Sequence, residues 1–152
     1  MKDKIHVDIN TQERIVLWND QAVFVDCDDT MILWSYPEGI DTRHLTHAKD
    51  VHGNDTLVFL NHQRHIDFVK RLYRQGVMVI VWSAAGTRWA DHTADILGLD
   101  GFVTVTMCKP KFMLDDLSAD KFMPKNTFLD PFNPMKDKDE DNRFHTDGKD
   151  EP

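Results

Sequence analysis

Cysteine is scarce in this chain, with two among 152 residues. Cys27 and Cys108 are too few for a disulfide framework, so a reduced, cytoplasmic protein is the simpler expectation. Long apolar runs are also lacking. None approaches the roughly 20 residues of a membrane span, and Met1-Lys2-Asp3-Lys4 has no apolar signal core, so no membrane partner is expected. Positive charge is in the minority, 18 Lys and Arg against 26 Asp and Glu, for a net charge of −8. That balance argues against a broad footprint for nucleic acid or anionic lipid, though not against a local basic groove. Internal repeats are absent. The length suits a single globular domain with a sizeable core.

What the chain does have is an apolar run that ends in acid. Ala22-Val23-Phe24-Val25 leads directly into Asp26-Cys27-Asp28-Asp29-Thr30. A short apolar run of this kind predicts a strand buried on both faces, as in a parallel sheet. Open parallel sheets bind ligands beyond the carboxyl ends of their strands. Three carboxylates at such a strand end repel one another unless a cation joins them, most simply a hard divalent ion. The alternative is a capping or turn cluster, a common setting for Asp and Thr. Strand alternation turns the Cys27 side chain into the core, opposite its two aspartate neighbours.

On the amino-terminal side, Ile5, Val7 and Ile9 alternate, and Ile15-Val16-Leu17-Trp18 follows; the two stretches predict a hairpin on the sheet edge. Beyond the acidic cluster, residues 31–60 carry turn chemistry at Tyr36-Pro37-Glu38-Gly39 and His52-Gly53-Asn54-Asp55, then a short strand over Thr56–Leu60. Asn61 is the expected N-cap of a helix with Ile66, Val69, Leu72 and Tyr73 on one face, ended by Gly76. Val77–Trp82 is a second apolar strand, ending at Ser83. A helix from Arg88 to Leu97 stops at Gly98. Phe102–Val105 and Lys111–Leu114 are the third and fourth strand candidates, the last running into Asp115-Asp116. Alternating strands and helices predict an α/β fold with a doubly wound parallel sheet. One domain is expected over 1–135. The charged segment 136–152, nearly free of apolar residues, is expected to be a disordered tail.

The order of polar residues at these strand ends resembles the haloacid dehalogenase superfamily, most of whose members are magnesium-dependent phosphatases. Its four motifs appear in sequence: Asp26-x-Asp28-x-Thr30, Ser83 after an apolar strand, Lys109 in a Lys-Pro pair, and the acidic pair Asp115-Asp116. The likeness spans roughly residues 22–116. Many members carry Gly where this chain has Asp29. The resemblance implies a Rossmann-like sheet with Asp26 as nucleophile and Asp28 as general acid, then base. Ser83 and Lys109 would bind the phosphoryl group, and Mg²⁺ would be held by Asp26, the Asp28 backbone and Asp115 or Asp116. Dehalogenase members typically lack the second Asp, so Asp28 favours phosphate chemistry.

Superfamily caps are inserted where residues 31–60 lie, and about 30 residues make a flap rather than a domain. Thr30, Trp34 and Tyr36 are candidate substrate contacts, and Trp34, Tyr36 and Phe59 could stack on a base or ring. They serve equally well as packing that holds the flap to the body, and Thr30 as a backbone hydrogen-bonder. Ser83 is also a plausible cap, Lys111 a substitute for Lys109, and Asp115-Asp116 a turn. His62 and His65, spaced i, i+3, raise zinc only as a minor reading. The expected activity is hydrolysis of a small phosphorylated metabolite or nucleotide. Alternatives are a polynucleotide-end phosphatase, helped by a patch such as Arg43, Lys49 and Arg64, and a non-catalytic Mg²⁺-binding regulatory domain.

Overall fold

The computed structural model describes residues 21–140 and the backbone of residues 4–7 and 14–17. The chain divides into two compact units, Met1–Lys109 and Pro110–Pro152, where the sequence predicts one domain to residue 135. The division falls at a proline, which lacks the N–H needed to continue a strand ladder.

In the first unit, β1 (Lys4–Val7) and β2 (Arg14–Leu17) pair antiparallel as the alternation predicts. They form a sheet of their own rather than an edge of another. Ile9, Trp18 and the Asn19-Asp20 turn lie outside the described residues. The strand expected before the acidic cluster is β3 (Ala22–Asp26). It is followed by β4 (Ile32–Leu33), β5 (Leu45–Lys49), β6 (Thr56–Asn61), α1 (Gln63–Arg74), β7 (Met78–Ser83), α2 (Thr87–Ile96) and β8 (Val105–Cys108). The third parallel strand starts three residues later than predicted, because Asp100–Phe102 winds into a 3-10 turn closed by Phe102 N–H on Leu99 O.

Strands β3, β7 and β8 form a parallel sheet in that order, with Asp26 opposite Trp82 and Ser83 opposite Cys108. Because the order advances in one direction, right-handed crossovers put both helices on the same face. The core confirms this: Val25, Val79 and Val81 pack in one cluster with Ile66 and Val69 of α1 and Ala90 and Ala94 of α2. The alternate residues Phe24, Met78 and Val105 remain 36 to 41% exposed, so β3 is not buried on both faces. On that open face Phe24 stacks on Trp82, with ring centroids 3.9 Å apart. Double winding needs further strands on the other edge of β3, and none pairs there among the described residues.

Residues 31–60 form an antiparallel sheet, β4-β6-β5, rather than mostly turns. Its inner end belongs to the core: Met31, Ile32 and Phe59 are fully buried. This segment is therefore half body and only half flap. The N-cap of α1 is His62, whose Nδ1 accepts the His65 backbone N–H at 3.1 Å. Asn61, the expected cap, instead accepts the Thr46 hydroxyl at 2.7 Å. Ile66, Val69 and Leu72 are buried as the helical spacing requires, while Tyr73 sits at the margin. Gly76 and Gly98 follow the two helices with φ of 85° and 67°, left-handed values that favour glycine.

The second unit is built mainly of turns. Among its described residues β9 (Thr127–Phe128) pairs antiparallel with β10 (Lys138–Asp139), and Thr127 donates to Asp139 at 2.9 Å. Ordered pairing thus reaches past Lys136, where the sequence predicts the tail to begin. The fourth strand predicted over Lys111–Leu114 does not form. Phe112 is 86% and Leu114 100% exposed. An apolar run becomes a strand only with a ladder partner, and this one has none among the described residues. No described helix is long and apolar enough to cross a membrane.

Candidate active site

The chain leaves β3 in a tight turn. The Cys27 carbonyl lies 2.9 to 3.2 Å from the N–H groups of Thr30, Met31 and Ile32, and Asp29 N–H donates to Ile32 O at 2.8 Å. Asp29 takes φ of 59°, a left-handed conformation that glycine adopts at no steric cost and aspartate tolerates. Cys27 points into the core and is fully buried, and burial pushes its thiol up to about 12. The strand alternation predicts that orientation.

This turn brings three of the predicted residues together. Asp26 Oδ1 lies 3.2 Å from Lys109 Nζ, and Asp26 Oδ2 accepts the Thr30 hydroxyl at 3.1 Å. Each carboxylate oxygen thus has a partner that holds it in one rotamer. The ion pair is about one-third exposed on both sides, so its value is orientation more than stability. Lys109 is the lysine of the predicted Lys-Pro pair. Thr30 binds the carboxylate rather than the local backbone, and its own carbonyl lies 2.6 Å from His65 Nδ1. That nitrogen must carry a proton, since a carbonyl only accepts. His62 and His65 stack with centroids 3.6 Å apart. One Nδ1 caps a helix and the other holds the Thr30 loop, structural work for both rings.

Asp28 is held differently. Its Oδ1 accepts the Trp34 indole N–H at 2.9 Å and its Oδ2 accepts the Trp89 indole N–H at 3.1 Å. The two indoles lie nearly parallel, 21° apart, with centroids separated by 6.4 Å. Trp34 also packs edge-on against buried Phe59 at 5.7 Å. Trp34 therefore does tie the 31–60 segment to the body, while Tyr36 lies exposed on the same loop. Trp89 was not a sequence candidate. It lies on a helix 61 residues beyond Asp28, and no local spacing signals that pairing.

Ser83 ends β7, is 2% exposed, and accepts the Ala85 N–H at 3.0 Å. Gly86, not Ser83, is the N-cap of α2. The Ser83 carbonyl accepts the Lys109 N–H at 2.9 Å, fixing the base of the lysine beside the strand ends. Asp115 and Asp116 belong to the second unit, where Asp115 accepts the Leu117 N–H at 2.9 Å in a local turn.

Among the described residues, no three His, Cys, Asp or Glu side chains are grouped to hold a metal ion. Magnesium itself needs few protein ligands, one or two carboxylates with waters completing its shell. The Asp26 carboxylate and the Asp28 backbone carbonyl are hard oxygen donors of that kind.

Two residues of the predicted basic patch have neighbours. Arg43 forks onto Asp41 and holds that carboxyl below the usual range, and Lys49 donates to Thr56 at 3.1 Å. A separate cavity of about 310 Å³ is lined by Val51, Arg88, Asp91, His92, Asp95 and Asp100. It contains none of the predicted site residues. Comparison with family models finds no match to this chain, and comparisons with curated proteins and with solved structures find none either.

Proposed function

We propose that the chain is a phosphomonoester hydrolase of the haloacid dehalogenase type that works through an aspartyl-phosphate on Asp26. The observation that carries this reading is the Asp26 carboxylate at a parallel-strand end, oriented by Lys109 on one oxygen and Thr30 on the other. A nucleophile needs one fixed direction of attack and a nearby positive charge to offset that of the phosphate. Lys109 and Thr30 supply these. Asp26 forms the bond to phosphorus, and Asp28, two residues on, gives its proton to the leaving oxygen. In the second step Asp28 takes a proton from the water that attacks the phosphoryl group. Ser83, at the end of the adjacent strand, donates its hydroxyl proton to a phosphoryl oxygen. Mg²⁺, when bound, would be held by Asp26 and the Asp28 backbone carbonyl and would neutralise phosphate charge.

The substrate class proposed is a small phosphorylated metabolite or nucleotide. The polynucleotide-end reading is weaker, because the net charge is −8 and Asp41 offsets the charge of Arg43. The test is turnover of p-nitrophenyl phosphate with Mg²⁺ and with EDTA, followed by mononucleotides and phosphorylated oligonucleotides. Mg²⁺-dependent turnover favouring mononucleotides is expected. Full activity in metal-free buffer contradicts the mechanism, and no turnover of any phosphomonoester contradicts the function.

A further inference from the structure

Two tryptophans from different elements converge on one carboxylate. Trp34 follows β4 and Trp89 lies on α2, and each gives its only polar hydrogen to a different oxygen of Asp28. Both rings are held independently of that contact. Trp34 has its edge on Phe59, and Trp89 lies 5.9 Å from His92. The two indoles also face one another. An indole N–H is a donor that neither accepts nor loses a proton at ordinary pH. It can therefore orient a carboxyl group without competing for that group's proton.

We propose that Trp34 and Trp89 are positioning residues that clamp Asp28 in the orientation from which it protonates the leaving group. This rests on the reading of Asp28 as the general acid. In the step concerned, an Asp26 oxygen bonds to phosphorus and the P–O ester bond breaks. The ester oxygen leaves with that electron pair and takes the proton from Asp28. The products are an aspartyl-phosphate, an alcohol and the Asp28 carboxylate, on which both indole hydrogen bonds now fall on full negative charge. The clamp thus fixes the direction from which that proton is passed to the leaving oxygen.

The test exploits leaving-group chemistry. A nitrophenolate departs without a proton, whereas an alkoxide does not. Trp34→Phe and Trp89→Phe keep an aromatic ring and delete one N–H each. Each variant is expected to lower kcat/KM for an alkyl phosphate by about tenfold, a part of the ~10²–10⁴ that general acids contribute, and to leave p-nitrophenyl phosphate nearly unchanged. kcat/KM covers only steps through release of the alcohol, so later hydrolysis of the intermediate does not enter. A merely structural tie would lower both substrates together, and an unaltered ratio overturns the inference alone. Wild-type failure to turn over either ester overturns the hydrolase reading and this one with it. An activity-independent arm follows the indole N–H resonances in ¹⁵N spectra, assigned with the same variants. Both are expected to move in Asp28→Asn, and a resonance that stays in place shows there is no clamp.

Discussion

The turn after β3 and the stretch that opens the second unit have similar raw material and opposite fates. Both place an apolar run directly before an acidic cluster, Val23-Phe24-Val25-Asp26 in one and Phe112-Met113-Leu114-Asp115 in the other. The first run pairs with β7 and buries Val25, and its aspartates receive Lys109, Thr30, Trp34 and Trp89. The second forms no strand, exposes Phe112 and Leu114, and its Asp115 closes a local turn. Local pattern is thus the same evidence in both places, and the ladder partner decides which one becomes a framework for chemistry.

The sharpest way to break this contrast is at the acids. Asp26→Asn is expected to remove at least ~10³-fold of phosphatase activity with the fold intact, because an amide is not a competent nucleophile. Turnover close to wild type, with deamidation excluded by mass spectrometry, would place the chemistry elsewhere. The packing beneath the two runs should differ as well. Phe59→Ala empties a fully buried site and should cost about 3–5 kcal/mol in urea unfolding. Leu114→Ala, at a fully exposed site, should stay within about 0.5 kcal/mol. Similar losses at both would show that Leu114 is buried in solution.

A smaller effect concerns the β5–β6 connection. Asp50 accepts the N–H groups of Asn54, Asp55 and His52, and these bonds hold its carboxyl below the usual range. A depressed value contributes stability above the ordinary carboxylate pKa, lost as pH falls through the folded one. The Tm gap between wild type and Asp50→Asn should therefore be full at neutral pH and close under acid. A gap that is constant with pH would contradict the assignment. Smallest of all is Asp29→Gly, which relieves a left-handed residue and should raise stability by up to about 1 kcal/mol. A loss of stability there would mean that the Asp29 side chain is needed.

Much of the first unit was legible in the sequence, because its signals are local. Apolar runs mark β3 and β7, the spacing of Ile66, Val69 and Leu72 marks α1, and Gly76 and Gly98 mark two helix ends. The closeness of Lys109 to Asp26 was implied by the resemblance, whereas the Thr30 hydroxyl on Asp26 was not foreseen. Long-range facts were not legible. Nothing local says that Trp89 reaches Asp28, that His62 displaces Asn61 as a cap, or that Lys111–Leu114 lacks a partner. The antiparallel sheet within 31–60 was missed because β4 is two residues long and β5 carries Thr46, His47 and Lys49, a polar pattern that reads as loop.

The central claim is that Asp26 becomes phosphorylated. Replacing Asp28 with Asn should slow hydrolysis of that intermediate, since the base for the attacking water is gone. The measurement is mass spectrometry of acid-quenched, protease-digested Asp28→Asn protein after mixing with p-nitrophenyl phosphate and Mg²⁺. The account predicts a phosphoryl group on the peptide carrying Asp26, at Asp26 itself, and none when Asp26 is also replaced by Asn. A phosphoryl group on another residue, or burst release of nitrophenolate with no adduct at Asp26, would contradict it.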